Sequence, residues 1–251
     1  SEALAPGSRS FNMAVVLASL ELGETLDALC DSANLPSDEA RKLYRIGLAN
    51  YFAGAVHMPY AEILKTAEAT RYDVDRLQRR FEVSFEQVCH RLTTLQRPGA
   101  RGLPFFMIRV DPAGNVSKRF GGGIMPFARS GGGCPKWNLY DALGQPERLL
   151  VQAFELPDGK RNLSIARGQV SAAPIGQRPV IHAIALGCDW AHAEKIVHAD
   201  GLEGSRVQPV GIACRLCERE DCAQRAFPPL NRKLHMDLHQ LRASPYSFGD
   251  D

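Results

Sequence analysis

Three thiols fall within nine residues near the C-terminal end of this chain, in Cys214-Arg-Leu-Cys217-Glu-Arg-Glu-Asp-Cys222. A Cys-x2-Cys pair brings two sulfurs to one metal, and a third thiol five residues on can close the other side. Thiolates are the soft ligands that zinc and iron–sulfur clusters select. The chain holds no second Cys-x2-Cys, so a fourth ligand must come from elsewhere. The candidates are Cys188, in Leu-Gly-Cys188-Asp, and Cys134, in Gly-Cys134-Pro. Cys30 and Cys89 sit inside helical apolar patterns and read as small core residues.

A second segment mixes cations, glycines and large apolar groups: Lys118, Arg119, Phe120, then a glycine triplet, Phe127, Arg129, a second triplet, Cys134, Lys136 and Trp137. Glycine lets backbone amides approach a ligand, and Lys and Arg meet phosphate. Phe120, Phe127 and Trp137 offer an apolar slot. The segment matches neither the P-loop nor the dinucleotide fingerprint, and an ordinary loop between strands explains the same residues. The seven histidines form no His-Glu-x2-His, and no Ser/His/Asp set stands out.

These residues need elements to position them. Residues 10–97 read as helical. Ser37 caps a helix running to Val56, which ends at Met58-Pro59 because proline cannot continue the ladder. Asp73 caps the next, with Val74, Leu77 and Phe81 on one face. Ser84 and Gln87 form a capping box, with Val83 and Val88 placed as a hydrophobic staple, and that helix runs to Pro98-Gly99. Beyond residue 100 the period shortens. Residues 105–110 and 116–120 read as a hairpin, 149–155 and 161–166 as another, 180–186 as a strand and 190–197 as a helix. The expected fold is α+β: a helical domain over 1–98, then a small, mostly antiparallel α/β domain over 99–251 that carries the cysteines.

The net charge of +2 gives no global electrostatic case for nucleic acid or anionic membrane. An odd count of seven cysteines, with no signal peptide in view, favours a metal site in the cytoplasm over a disulfide framework. The longest apolar run, 13–20, is too short to span a bilayer and reads as a buried helix. The chain begins at Ser1, which reads as a fragment of a longer protein. Residues 77–92 have the outline of a helix-turn-helix, which would put 84–95 into a major groove with Arg76, Arg79, Arg80, Arg91 and Arg97 supplying charge. Against it, Glu82 stands where a glycine usually permits the bend.

The run from Pro209 through the three cysteines to Arg225-Ala-Phe-Pro-Pro229 resembles the closing signature of the bacterial short-chain-fatty-acid, or propionate, transcriptional regulators. Met58-Pro59, Arg71-Tyr-Asp73, Phe81-Glu-Val-Ser84, His90-Arg-Leu-Thr-Thr-Leu-Gln96, Gly114-Asn-Val-Ser-Lys-Arg119, Cys134-Pro-Lys-Trp137 and Leu186-Gly-Cys188 extend the likeness over nearly everything from residue 40 onward. The resemblance implies a DNA-binding helix-turn-helix head, absent from this chain, that meets promoter DNA. It implies next a domain related to the ImmA/IrrE metallopeptidases, and then a region that binds acyl-CoA and an iron–sulfur cluster to control propionate, methylcitrate and glyoxylate genes. On this basis Cys188, Cys214, Cys217 and Cys222 are expected to hold a [4Fe–4S] cluster, with zinc the alternative metal and Cys134 the reserve ligand. A short acyl-CoA is expected between the two halves, on Lys118, Arg119, Phe120, Phe127, Arg129, Lys136 and Trp137. A homodimer is the expected assembly, and no membrane is involved.

The competing functions are an iron–sulfur or zinc enzyme acting on CoA thioesters, and direct DNA binding through 74–95. Where the peptidases carry His-Glu-x2-His, this chain reads Leu48-Ala-Asn50-Tyr51-Phe52-Ala-Gly-Ala55. It lacks both imidazoles and the carboxylate base that zinc hydrolysis requires. The 50–56 helix is therefore expected to be structural. Zinc-dependent cleavage of a peptide panel, abolished by substitutions in this helix, would show otherwise; no cleavage is expected.

Overall fold

The computed structural model describes residues 6–121, 133–171, 173, 176–202, 207–220, 222–235 and 247–248. Phe127 and Arg129 lie outside the described residues. The chain forms two compact units, Ser1–Gly102 and Leu103–Asp251, so the division falls after residue 102 rather than 98. The first unit keeps four more residues because a small hairpin closes it.

That unit holds six helices: α1 (Pro6–Glu21), α2 (Gly23–Ser32), α3 (Asp38–His57), α4 (Tyr60–Ala69), α5 (Val74–Phe81) and α6 (Phe85–Thr93). The cap residues act as their chemistry dictates. Ser37 accepts from the Ala40 N–H, and Asp73 accepts from Asp75 and Arg76. Ser84 and Gln87 exchange both hydrogen bonds of the capping box. α6 stops at Thr93. Pro98-Gly99 is instead the turn between β1 (Gln96–Arg97) and β2 (Ala100–Arg101), with Gly99 at φ +80°.

Two sequence expectations change here. The 13–20 run is helical but only half buried: Ala14 and Ala18 are covered, whereas Met13, Val16, Leu17 and Leu20 are exposed. Small alanines make the contact and large side chains point away. Glu82 adopts the left-handed conformation at φ 52°, so the α5–α6 bend forms without a glycine. Burial withdraws part of this motif from any groove. Six of the nine α6 residues are buried, Arg91 among them. Arg91 donates from Nε to the Met58 carbonyl at 3.0 Å and from Nη1 to Thr94 at 3.3 Å, and lies over the Tyr51 and Tyr60 rings. It closes the C-terminus of α3 and cannot reach a phosphate.

The second unit is built on β3 (Phe106–Val110), β4 (Val116–Gly121), β5 (Leu149–Glu155), β6 (Arg161–Ser171), β7 (Val180–Asp189) and β8 (Gln208–Pro209), in the order β4-β3-β7-β6-β5-β8. All pairs are antiparallel except β5 with β8. Between β4 and β5, α7 (Asn138–Gly144) packs over β6 and β7. It sits in a core with Phe106, Ile108, Phe154, Ala166 and Ala185. Residues Trp190–Lys195 form a 3-10 turn in place of the expected α-helix, and β9 (Leu234–His235) pairs with β10 (Ser247–Phe248). Among the described residues no helix is long and apolar enough to cross a membrane.

A Cβ on Gly168 would stand 2.1 Å from the Ala142 carbonyl oxygen, in the backbone of α7. Gly168→Ala should therefore push α7 off the sheet and lower stability by about 1–3 kcal/mol. Ser84→Ala should cost about 1 kcal/mol through the lost cap. Chemical denaturation of the two variants checks both values.

Candidate ligand and metal site

The cysteine segment is organised by one cation. Arg225 is buried. Its Nη1 donates to the carbonyls of Cys214 and Phe227, each at 3.1 Å. Its Nη2 donates to those of Cys217 at 2.9 Å and Arg219 at 2.5 Å. The guanidinium also lies over the Phe248 ring at 4.8 Å. These four bonds gather the 3-10 turn Cys214–Leu216 and the residues after it around one side chain. The Ala226 N–H points at the Cys214 sulfur at 3.5 Å. Arg219 donates to the Glu155 carbonyl at 3.0 Å and Arg215 covers the Phe227 ring, so these cations hold the backbone and a ring rather than sulfur.

The two fourth-ligand candidates separate. Cys134 joins the core cluster that contains Val210, next to Gly211. A Cβ on Gly211 would stand 2.9 Å from the Cys217 sulfur. Burial pushes the Cys134 thiol up, the backbone N–H groups of Gly211 and Lys136 pull it down, and Cys217 and Cys214 are near enough to push it up further. Cys188 lies on β7 opposite Leu163. Burial, with Asp189 beside it, pushes its thiol up to about 12, and no other cysteine contributes. Among the described residues no three His, Cys, Asp or Glu side chains already stand as a metal-ligating group. The donor chemistry fits a soft metal or cluster, and the side chain placed toward Cys214 and Cys217 is Cys134.

The expected cation set also divides. Lys118 pairs with Arg109, and Arg119 with Ile108. Successive strand residues point to opposite faces, so Lys118 and Arg119 cannot serve one site from β4. Arg109 pairs on with Ile184, and Ile184 with Arg167. Lys118, Arg109 and Arg167 thus form one cross-strand row on one face. The next row on that face, two residues along each strand, is Phe120, Met107, Leu186 and Ile165. Met107, Leu186, Ile165 and Arg167 are buried, which leaves Lys118 and Phe120 exposed and Arg109 half-buried at the β4 edge of that face.

Trp137 belongs to the core. It is buried, and its indole N–H donates to Ser164 Oγ at 2.9 Å. The Lys136 carbonyl accepts from Gln152 at 2.8 Å. Close by, a cavity of about 520 Å³ is lined by residues including Asn138, Asp141, Arg148, Leu149, Leu150 and Leu202.

Residues 94–246 match the family model described as short-chain fatty acyl coenzyme A regulator, C-terminal. This chain belongs to that family. Residues 1–93 match the IrrE N-terminal-like domain of the M78 peptidases. The chain is 46% identical over 249 residues to the HTH-type transcriptional regulator RamB of Mycobacterium tuberculosis, covering 97% of the chain and 52% of RamB. It is 45% identical over 255 residues to the propionyl-CoA carboxylase regulator of Cereibacter sphaeroides, covering 99% of the chain and 54% of that protein. With HTH-type transcriptional regulator PrpR of M. tuberculosis the identity is 44%, over 97% of the chain and 51% of PrpR. These relatives are named as regulators, not enzymes. The chain spans about half the length of the curated relatives it matches. Its fold superimposes on a solved M. tuberculosis transcriptional regulator with a TM-score of 0.92 at 43% identity, covering 97% of this chain and 75% of that one.

For this member of the regulator family, sequence reasoning missed Arg109, Arg167 and the carbonyl-binding role of Arg225, which reads from sequence only as a cation offsetting thiolate charge. The first two were legible as strand cations, but only the register aligns them with Lys118. Arg225→Met should release the cysteine segment, destabilise the domain by about 3 kcal/mol and speed alkylation of Cys214 and Cys217. Arg225→Lys should be intermediate, because an ammonium cannot span four carbonyls as a planar fork does. Thiol labelling with mass spectrometry checks both. In the β3–β4 turn, Asp111 accepts from the Asn115 side chain at 2.9 Å and from the backbones of Asn115 and Ala113 at 2.9 and 3.0 Å. Asn115, through its side chain and then its backbone, holds the Asp111 carboxyl below its ordinary value. The contribution is present above the unfolded value of about 3.9 and is lost as pH falls through the lower folded one. Asp111→Asn should flatten that acid limb, read as urea midpoints against pH.

Proposed function

We propose that this chain is the effector-sensing part of a cytoplasmic bacterial transcriptional regulator of short-chain fatty acid or propionate metabolism. It responds to a short acyl-CoA and carries a thiolate-bound iron–sulfur cluster. The observation that carries the reading is the match of 94–246 to the C-terminal model of short-chain fatty acyl coenzyme A regulators. The names of the three relatives support it, and promoter contact belongs to the parts of such regulators that this chain does not span.

The acyl-CoA address best supported by the register is the β4 edge that presents Lys118 and Arg109 beside Phe120. The cations offer charge-assisted bonds to the CoA phosphates, and the exposed Phe120 ring offers apolar surface to the pantetheine and acyl groups. Arg119 projects from the opposite face and is not part of this address. A regulatory switch needs a ligand that favours one arrangement of the protein over another. The helical domain is read as a structural relative of the peptidases, without hydrolysis.

For the cluster, Cys134 replaces Cys188 as the proposed partner of Cys214, Cys217 and Cys222. Bound there, an iron–sulfur group would supply redox sensitivity. Arg225 would hold the backbone of two of the four ligands, Cys214 and Cys217, and the Gly211 and Lys136 amides would face Cys134.

Isothermal titration with propionyl-CoA tests the effector reading. Binding is expected, weakened at least about tenfold, roughly 1.4 kcal/mol, by Lys118→Ala with Arg109→Ala and unchanged by Arg119→Ala. No binding at millimolar ligand sinks it. Loss in Arg148→Ala alone moves the address to the cavity beside α7. Anaerobic iron and zinc analysis tests the metal: iron expected in wild type and Cys188→Ser, and lost in Cys134→Ser. Stoichiometric zinc without iron overturns the cluster, and loss in Cys188→Ser but not Cys134→Ser overturns the proposed fourth ligand.

A further inference from the structure

Arg225 carries a charge that its backbone partners do not answer. The residue is buried, at 7% exposure. Four of its five N–H groups meet carbonyls, and the Phe248 ring covers it. Carbonyl dipoles and a ring face solvate a cation without neutralising it, and a buried charge needs a charged partner. Among the described residues no carboxylate pairs with Arg225. Glu155 pairs with Arg161 and Arg219 instead, and Glu218 with Arg232.

The fifth N–H points the same way. Arg225 Nε is buried and has no acceptor among the described residues, and the same holds for Arg219 Nε in the same segment. Buried donors in folded proteins are bonded in the great majority of cases, so one left over marks an acceptor of another kind. The planar group fixes the direction of that acceptor. In a guanidinium the Nε–H runs parallel to one Nη2 N–H, along one edge of the fork. Nη2 serves the carbonyls of Cys217 and Arg219, so the Nε–H opens toward the loop that follows Cys217. That loop returns to Arg225 through Cys222, whose carbonyl accepts from the Arg225 backbone N–H at 3.0 Å. Sulfur already draws a donor in this segment, since the Ala226 N–H points at Cys214 Sγ.

We propose that Arg225 is the counter-cation of the metal–thiolate group and donates its Nε–H to a bound sulfur on the Cys217–Cys222 side. The inference rests on the reading of these thiols as metal ligands. Four thiolates outweigh the charge of a divalent metal or of a cluster core, so the site they make is anionic. One side chain then has two duties. Four N–H groups fix the backbone at Cys214 and Cys217, and the fifth, with the positive charge, meets the thiolates which that backbone presents. A lysine could supply the charge but not the fork. Partners of this kind orient the ligands and strengthen metal binding. They also couple metal binding to the ordering of the segment.

Cadmium, a soft ion with an NMR-active isotope, tests this without redox chemistry. The chain is isotopically labelled in nitrogen, loaded with that isotope, and the arginine Nε–H signals are assigned by through-bond spectra. A scalar coupling between cadmium and the Arg225 Nε proton is expected, because such couplings cross an N–H···S bond to a metal-bound sulfur. Arg225→Gln should weaken cadmium binding about 10–100-fold in chelator competition, and Arg225→Lys, which keeps the charge, should lose less. Cadmium bound without that coupling, the result expected of an N–H served by a buried water, overturns the proposal and leaves the metal site standing. Coupling to the Arg219 Nε proton alone overturns it as well, as do equal losses in the two variants. If cadmium does not bind, the metal reading fails and this inference with it. The wild-type spectrum decides by itself, so a variant that fails to fold does not spare the proposal.

Discussion

The planar guanidinium of Arg225 meets four backbone carbonyls within the segment that contains the cysteines. A short run with almost no regular structure leaves its carbonyls without ladder partners, and buried carbonyls need donors. Five N–H groups in a fixed fork can serve several at once, which a lysine cannot do. The same contacts set where Cys214 and Cys217 stand, and the neighbouring core fixes Cys134 and Gly211 against them. Remove the cation and the thiols would lose their common frame. The cysteine pattern is the visible signature, and an arginine three residues beyond its last thiol holds the segment together.

The sheet imposes a second constraint, through its pleat. Side chains alternate between faces, so neighbours in sequence are divided and residues far apart in sequence are joined. Lys118 and Arg119 are adjacent in the chain and opposed in space. Lys118, Arg109 and Arg167 come from three strands and fall in one row. The close approach of α7 to Gly168 covers the other face, where Trp137 bonds to Ser164. That burial withdraws the indole from any ligand. One face is therefore committed to α7, and on the other Met107, Ile165, Leu186 and Arg167 are buried as well, so only its β4 edge is open.

In the helical unit the consequential feature is the size of the residues at the contacts. Ala14, Ala18, Ala49 and Ala53 are buried while larger neighbours on α1 and α3 are exposed. Close packing through alanine leaves bulk on the outside, where it is costly unless another surface covers it. Arg91 closes the C-terminal end of α3 by donating to the Met58 carbonyl.

Much of this was readable in the sequence because it is local. Ser37, Asp73 and Ser84 begin helices wherever they meet the right following residues, and Pro59 ends one. The β3–β4 and β5–β6 hairpins follow from alternation interrupted by turn residues. The missing His-Glu-x2-His needs no coordinates, and the thiol spacing alone points to soft-metal chemistry. What the sequence could not decide depends on distance through space. Whether Cys134 or Cys188 lies near the thiol pair turns on where the turn before α7 carries the one and β7 the other. Whether Arg91 meets a phosphate turns on burial by segments far along the chain. The 13–20 run reads as a buried helix, since hydrophobicity says that a surface should be covered but not by what. Only packing revealed that alanines make the contact and that the larger side chains of this run stay exposed.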